Sequence, residues 1–472
     1  MVNRQLPRTN CKSQVGDRRI HGPIHFIGIG GCGMSGIAHI LLKRGFKVQG
    51  SDIRENDAVR RLRWQGAKIY LSHHRDNIGE AKEVVYSSAI SSDNAELLAA
   101  REKKLPIFSR GQMLASLMSN TESIAVCGTH GKTTTTSLIS FLLLHAGLDP
   151  TFIVGGDIQD FGGNAYAGDG NLFVAEADES DGSFLMLSPS FEVVTNIEEE
   201  HMDYYKTFIN LKDAFFEYIE NIRDGGWLIA GGDDVAVRNI LFAYKDRIRA
   251  HIITYGVGSS NTMCTLNICQ KNNRTFFDVI FGKKRLGRTG ISLHGIHNVA
   301  NTLPAIALGL LHGISWEKIA EILPEFKGVE RRFQMKGRYN NALIIDDYAH
   351  HPTEIQVTLR VTEEFNPKRR LAIFQPHRYT RTRDMASQFA EALKSVDLPI
   401  LIPIYAASEK PIPGITVELI GDYLKRYGKC PLYFENKEEV VSYLRKTVKP
   451  RDVVLTLGAG DVYKIGEELV ED

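Results

Sequence analysis

Short apolar runs recur along the chain, each closed by glycine and followed by an amphipathic stretch. From Pro23, IHFIGIG reads as a buried strand. The glycine-rich GCGMSG follows, and IAHILLKRG is helical and stops at Gly45. FKVQGSD, EVVYSSAI and LPIFSR are the next short strands. Strands that alternate with helices in this way predict a parallel sheet covered by helices.

The segment SNTESIAVCGT, residues 119–129, opens a second unit whose first strand runs through a glycine turn into the helix TTTTSLISFLLLHAG. NLFVAEAD (171–178), FEVVTNI (191–197) and GGWLIAGG (225–232) are further strands. Residues 260–293 differ, because their alternation predicts antiparallel strands. HNVANTLPAIALGLLH is helical, with Pro304 predicting a kink or a late start. After KGVERRF the strand–helix pattern restarts with ALIIDDYAHHP, LAIFQPHR, LPILIPI, CPLYF and DVVLTLGAG. The reading is α/β throughout, in three domains: 22–118, 119–330 and 331–472, after a basic tail over 1–21.

Composition agrees with that division. At roughly 150 residues per domain, 472 residues suggest about three. Hydrophobic residues at 43% and charged residues at 24% exclude a disordered chain and a disulfide scaffold. A net charge of +1 excludes a global basic field, so no nucleic-acid partner is expected and any phosphate site is local. The cysteines, at 11, 32, 127, 264, 269 and 430, form no CxxC pair and read as reduced thiols. Cys264 and Cys269 are spaced to meet across a hairpin, though half-buried thiols are the simpler reading. No apolar run approaches the ~18 residues of a membrane span, and 1–21 lack a signal peptide's apolar stretch, so the expected location is the cytoplasm.

Four constellations carry chemistry. The sharpest is GTHGKTTTT, residues 128–136, between a strand and a helix. Backbone N–H groups of Gly128, Thr129, His130 and Gly131 at such a turn point at an anion, and Lys132 adds a point charge. Thr133 offers a hydroxyl to a phosphate-bound Mg²⁺, and Thr134 follows it into the helix. The loop is a shortened variant, since the first glycine of the usual P-loop pattern would fall on Val126. An incidental lysine in a glycine turn is the bland alternative.

The second is GIGGCGMSG, residues 28–36, where Gly28, Gly30 and Gly33 match G-x-G-x-x-G and Asp52 ends the next strand. Alone it fits NAD, FAD or any nucleotide diphosphate, or merely close strand–helix packing. The third is a pair of acidic clusters, EADESD (176–181) and EEEHMD (198–203), each after a strand. They read as a divalent-metal site or as solvated loops. The fourth is DDYAHHPTE (346–354) with FQPHRYTRTR (374–383). Arg378 and Arg381, three apart, would share a helix face and clamp a carboxylate, with His350, His351 and His377 orienting an amine or carboxylate. ERRF (330–333) sits at the expected inter-domain boundary.

In order, HFIGIGGCGMSGIA, GTHGKTTTT, EADESDGSFL, TNIEEEHMD, HNVAN, ERRF, DDYAHHPTE and FQPHRYTRT resemble the signature blocks of the Mur ligases of peptidoglycan synthesis. The resemblance runs from about His25 to the C-terminus. It implies a Rossmann-like first domain that holds a UDP-sugar through Gly28, Gly30, Gly31, Gly33, Met34, Ser35, Ser51 and Asp52. It implies a central P-loop ATPase domain, and a Rossmann-like last domain that holds an amino acid and closes over the others. By the same resemblance, Gly128, Thr129, His130, Gly131, Lys132, Thr133, Thr134, Asn298, Asn301 and Asp347 match the ATP-binding positions. Thr133, Glu176 and His201 match the metal positions, and His350, His377, Arg378 and Arg381 those that hold the amino acid. Lys132, Arg332 and His350 are the implied catalytic groups.

The implied reaction joins L-alanine to the lactyl carboxylate of UDP-N-acetylmuramate through an acyl phosphate, with ATP and Mg²⁺, by a monomer or homodimer. Rival readings are a recycling ligase that adds a tripeptide, a folylpolyglutamate synthase-like activity, an NAD-dependent oxidoreductase and a non-catalytic nucleotide-binding regulator. The sequence shows no secure match for the carbamylated lysine of several Mur ligases; Lys206 and Lys212 are merely nearby. The N-terminal tail is outside the family pattern. Lys132→Ala is expected to abolish ligation while UDP-sugar binding, followed by calorimetry, survives; retained turnover would refute the role given to Lys132.

Overall fold

The computed structural model describes residues 22–407 and 409–471. The expected N-terminal tail, with Cys11, lies outside them. The chain divides into two compact units between Lys327 and Gly328. The fold is three-domain α/β, with two sheets in the first unit and one in the second.

The first sheet holds β1 (Ile24–Ile27), β2 (Val48–Ser51), β3 (Lys68–Tyr70), β4 (Glu83–Tyr86) and β5 (Ile107–Ser109), in the order β3-β2-β1-β4-β5. All its pairs are parallel. Continuous apolar strands suit a sheet covered on both faces, and all four residues of β1 are buried. The chain leaves β1 toward β2 and later returns to β4 on the other side. That reversal opens a crevice at the carboxyl ends of β1 and β4, where the glycine loop stands.

The second sheet has ten strands: β6 (Glu122–Cys127), β7 (Thr151–Ile158), β8 (Gly163–Tyr166), β9 (Leu172–Glu176), β10 (Phe191–Val194), β11 (Trp227–Gly231), β12 (His251–Gly256), β13 (Met263–Lys271), β14 (Arg274–Phe281) and β15 (Lys284–Ile291). β6 lies between β10 and β9, so the lysine-bearing loop after β6 again stands at a strand-order reversal. β13, β14 and β15 pair antiparallel, as their alternation predicts. Cys264 and Cys269 do not face each other across that hairpin. Both sit on β13, opposite Ile280 and Phe276 of β14, and both thiols are free. The hairpin β7–β8 has no counterpart in the sequence reading. The helix Ile296–Leu311 runs through Pro304 and does not start late. Pro304 has no N–H to bond the carbonyl of Ala300, four residues back, and its ring crowds that carbonyl.

The second unit's sheet holds β16 (Gln334–Tyr339), β17 (Ala342–Asp347), β18 (Arg369–Phe374), β19 (Leu398–Leu401), β20 (Leu432–Tyr433) and β21 (Asp452–Leu457), in the order β16-β17-β21-β18-β19-β20. Only β16 pairs antiparallel. The loops after β17, β18 and β21 therefore share one edge.

One core feature conflicts with its surroundings. Glu192 of β10 is fully buried, and among the described residues neither carboxylate oxygen has a hydrogen-bond partner. The Tyr218 hydroxyl, also buried, is likewise unpartnered. Burial pushes the Glu192 carboxyl well above its usual range. An unsatisfied buried polar group costs about 1–3 kcal/mol. Glu192→Met is therefore expected to raise the midpoint of thermal unfolding by a few degrees in scanning calorimetry, and a lowered midpoint would show that the carboxyl has a structural role.

Candidate functional site

The glycine loop after β1 is fastened to the end of β2. Gly28 N and Ile29 N donate to Ser51 O at 2.9 and 3.0 Å, and Gly30 N donates to Asp52 Oδ2 at 2.8 Å. The other Asp52 oxygen accepts from Arg54 N at 3.1 Å. Asp52 thus braces the loop as well as standing where a ribose acid would. Gly31, Gly33 and Met34 line a cavity of about 300 Å³ with Arg110, Glu176 and Asp178. Ser35 turns its hydroxyl back to Cys32 O, and Ser51 turns its own to Glu96. A side chain at Gly33 would press on Arg110, which the sequence reading passed over. Arg110 Nη2 lies 2.8 Å from Asp178 Oδ2 and 3.2 Å from Ser183 Oγ.

The loop after β6 owes its shape to two left-handed glycines. Gly128 has φ +127° and Gly131 φ +81°; a Cβ on the first would overlap Thr195 Oγ1, and one on the second the Asn301 amide. The loop after β10 braces it. Thr129 N donates to Asn196 O at 2.9 Å, His130 N to Asn196 Oδ1 at 2.9 Å, and Thr195 Oγ1 to His130 O at 2.7 Å. Asn301 of the helix Ile296–Leu311 stands at the loop, and its Nδ2 donates to Asn298 Oδ1 behind it at 3.2 Å. Lys132 opens the helix Lys132–His145, with Thr133 and Thr134 buried behind it.

Without phosphates the Lys132 ammonium is held by protein oxygens. Nζ donates to Gly128 O at 2.5 Å, to Thr129 O at 3.2 Å and to Glu179 Oε1 at 2.7 Å. Burial alone would lower its pKa, but the charges of Glu179 and Glu176 prevail and hold it above the usual lysine value. Lys132 is a cation at any working pH.

The structure separates the two acids of the first cluster. Glu176 Oε2 accepts from Gly155 N at 2.8 Å, at the rim of the cavity. Glu179, not singled out from the sequence, is the carboxylate beside His201, with its Oε1 3.8 Å from His201 Nε2. Ligand atoms of Glu179, Glu200 and His201 lie within 4.8 Å of one another. Glu179 Oε2 is buried and has no hydrogen-bond partner among the described residues, an oxygen that suits a hard cation. Successive residues thus serve two sites: Asp178 holds Arg110 at the cavity, and Glu179 holds Lys132.

In the second unit, His350, His377 and Arg381 come together. The His350 and His377 rings meet edge-on at 5.6 Å, His377 stacks on Tyr405 at 5.8 Å, and Arg381 Nη1 lies 3.2 Å from His377 Nδ1. Arg378 does not share a helix face with Arg381. It caps the helix Tyr379–Leu393 from outside, with φ +72°, so helical spacing does not govern its side chain. His351 caps the helix Pro352–Thr362. The two arginines of ERRF also differ. Arg331 is tied to Asp346 Oδ2 at 3.0 Å and to the carbonyls of Gly458 and Gly460, between Tyr348 and Tyr463. Arg332 stays about one-third exposed, 3.7 Å from Glu354. Asp347 is buried and accepts from Thr358 Oγ1 at 2.6 Å and Ala349 N at 3.0 Å, so it braces the turn after β17.

Comparison with known proteins covers nearly the whole chain. Residues 23–122 match the model of the Mur ligase family catalytic domain, 126–309 the Mur ligase middle domain, and 331–460 the Mur ligase glutamate ligase domain. A UDP-N-acetylmuramate–L-alanine ligase of Carboxydothermus hydrogenoformans is 43% identical over 95% of this chain and 96% of its own. One of Endomicrobium trichonymphae is 45% identical over 95% and 98%. The crystal structure of UDP-N-acetylmuramate-alanine ligase from Thermotoga maritima superposes with a TM-score of 0.82 at 30% identity, over 96% of this chain and 99% of that one. A murein peptide ligase from Psychrobacter arcticus, at 23% identity and a TM-score of 0.71 over 95% and 98%, shares the fold.

Burial pushes the Asp347 carboxyl up to about 6 from its ordinary 3.8, against the pull of Thr358 and Arg332. Between those values the folded chain keeps a proton that the unfolded chain has released. Stability therefore falls as pH rises through that window, by roughly 3 kcal/mol in all. Asp347→Asn is expected to gain on the parent at pH 7.5 relative to pH 3.5 in denaturant titrations; a gain independent of pH would refute the assignment.

Proposed function

Because this chain belongs to the Mur ligase family, we propose that it joins L-alanine to the lactyl carboxylate of UDP-N-acetylmuramate, cleaving ATP to ADP and phosphate. The observation that carries this reading is the single acidic turn, Asp178–Glu179, shared by the glycine-loop cavity and the lysine loop. A sugar nucleotide and a nucleoside triphosphate bound at these two places would present a carboxylate and a terminal phosphate to one another. NAD-dependent oxidation leaves the lysine loop and both acidic clusters without a role. The relatives at 43% and 45% identity carry the name of an alanine ligase, which favours alanine over a tripeptide.

The reaction brings two anions together. At 4 Å and an effective dielectric of ~20, each unit charge pair repels by about 4 kcal/mol. Lys132 and the amides at the start of its helix are aimed where that charge accumulates. In this reading Lys132 exchanges Glu179 and two carbonyls for phosphate oxygens. Glu179, Glu200 and His201 would hold Mg²⁺, with the Thr133 hydroxyl matching a metal position by resemblance, and the ion would supply further neutralisation of phosphate charge. Glu176, whose charge also reaches Lys132, is a remaining candidate ligand. Asn301 stands against Gly131 of the lysine loop, with Asn298 bonded behind it.

The acyl phosphate that forms is open to attack by the neutral amine of alanine, with phosphate expelled. Arg381 supplies the guanidinium for the amino acid's carboxylate, and His350 and His377 flank it. Arg332, the more exposed arginine of its pair, is the one available to a ligand, while Arg331 is committed to the fold. ATP use and the lack, among the described residues, of any helix long and apolar enough to cross a membrane accord with work in the cytoplasm.

ADP release should rise saturably with L-alanine when UDP-N-acetylmuramate is present; release indifferent to alanine would contradict the reading. Oxygen-18 in the substrate carboxylate should appear in released phosphate, and its absence would remove the acyl-phosphate step. Arg381→Ala should raise the KM for alanine by at least about tenfold and leave that for ATP nearly unchanged; equal effects on both would count against the clamp.

A further inference from the structure

The helix Tyr379–Leu393, whose first turn carries Arg381, is capped by a side chain from another part of the chain. Its own N-cap residue, Arg378, has φ +72° and makes no side-chain bond to the first turn. A short polar side chain at that position usually accepts the N–H of the second or third helical residue. Here Glu409 does so, from the loop after β19. Its Oε2 accepts from Thr380 N at 3.1 Å and its Oε1 from Thr380 Oγ1 at 2.6 Å. Both oxygens hold one residue, so its backbone and its side chain are fixed together. A carboxylate also suits the positive end of the helix dipole. Glu409 is half-buried and takes no part in the chemistry above.

The same loop grips the chain just before the helix. Tyr405 N donates to Pro376 O at 2.8 Å, and Arg378 N donates to Tyr405 O at 2.8 Å. These two bonds make a parallel bridge between His377 and Tyr405, whose rings stack 5.8 Å apart at an interplanar angle of 11°. The loop is therefore tied on either side of His377 and again at the residue preceding Arg381. His377 Nδ1 and Arg381 Nη1 lie 3.2 Å apart across this span. The positive φ at Arg378 interrupts the helix between them, so helical spacing does not set that distance. The ties to the loop do.

We propose that Glu409 is a positioning residue for the amino-acid substrate. Its hold on Thr380 sets the first turn of the helix so that the Arg381 guanidinium stands beside His377, where the carboxylate of the incoming amino acid is received. The inference rests on the reading of Arg381 as the carboxylate clamp. Glu409 acts through Thr380 and Arg381 and touches no substrate itself. A clamp fixed before binding loses less conformational freedom when its ligand arrives. Release of Thr380 therefore weakens amino-acid binding and leaves the nucleotide sites as they are.

The test is steady-state ADP release by the full chain, with L-alanine, ATP and UDP-N-acetylmuramate varied in turn. Glu409→Ala should raise the KM for alanine about tenfold, the worth of a charge-assisted hydrogen bond, and leave both nucleotide KM values within about twofold. Glu409→Gln keeps an acceptor for Thr380 N and turns an amide N–H toward Thr380 Oγ1, so it should restore most of the native value. In an Arg381→Ala background, Glu409→Ala should change the alanine KM by less than about twofold, because the two residues act as one unit. An unchanged alanine KM in Glu409→Ala, equal rises in all three KM values, a fall in kcat alone, a Gln variant no better than the Ala variant, or additive effects in the double variant would each overturn the proposal. Should Glu409→Ala not fold, Thr380→Val decides. It deletes the hydroxyl and keeps the N–H, and should raise the alanine KM about threefold with the nucleotide values unmoved; no rise would overturn the proposal. If Arg381→Ala itself leaves the alanine KM unchanged, the clamp reading fails and the positioning role with it. If Arg381→Ala raises it and Glu409→Ala does not, only the positioning role falls.

Discussion

The pairing of Lys132 with Glu179 is the constraint around which the first unit is arranged. A buried ammonium costs several kcal/mol unless oxygen ligands replace water. Two loop carbonyls and one carboxylate do so here. That requirement explains the backbone as well as the side chains. Gly128 and Gly131 take left-handed conformations so that the loop closes over its own lysine, and Thr195 and Asn196 hold it from the next strand. Because Glu179 follows Asp178, the same turn also anchors Arg110 in the cavity beneath the glycine loop. A change of partner at Lys132 is thus one residue from the cavity beside the glycine loop.

Much of this was legible in the sequence because parallel sheets write themselves as continuous apolar runs ended by glycine. The strands before both glycine loops, the antiparallel stretch within 260–293 and the restart after residue 330 all follow from that pattern. The hairpin β7–β8 escaped because VGGDIQDFGG interrupts any apolar period, and its pairing depends on neighbours distant in sequence. Within the sites, residue type was readable and direction was not. EADESD offers four carboxylates, and once β9 ends at Glu176 the loop's path decides which meets Lys132. The spacing of Arg378 and Arg381 implies a shared face only if both are helical, and a positive φ at Arg378 places it outside. In ERRF, adjacent arginines point to different partners, one into a cage of carbonyls and tyrosines.

The first domain surrounds a widespread motif with polar groups that the motif does not contain. A glycine loop and an acid at the end of the next strand suit many dinucleotides, and here that acid spends both oxygens on backbone N–H groups. Glu96 gathers Ser51, His73 and Asn77 near the ends of β2 and β3, and Arg110, paired with Asp178, lines the cavity. Neither belongs to the glycine pattern, and both depend on chain crossings that a linear reading does not reveal.

The most direct measurement is a crystal structure of the full chain with a non-hydrolysable ATP analogue and Mg²⁺. We expect the terminal phosphate against Lys132 and the amides of residues 130–133, with Lys132 Nζ withdrawn from the Glu179 carboxylate. Triphosphate density elsewhere, with Lys132 still paired to Glu179, would contradict the assignment of this loop as the phosphate grip.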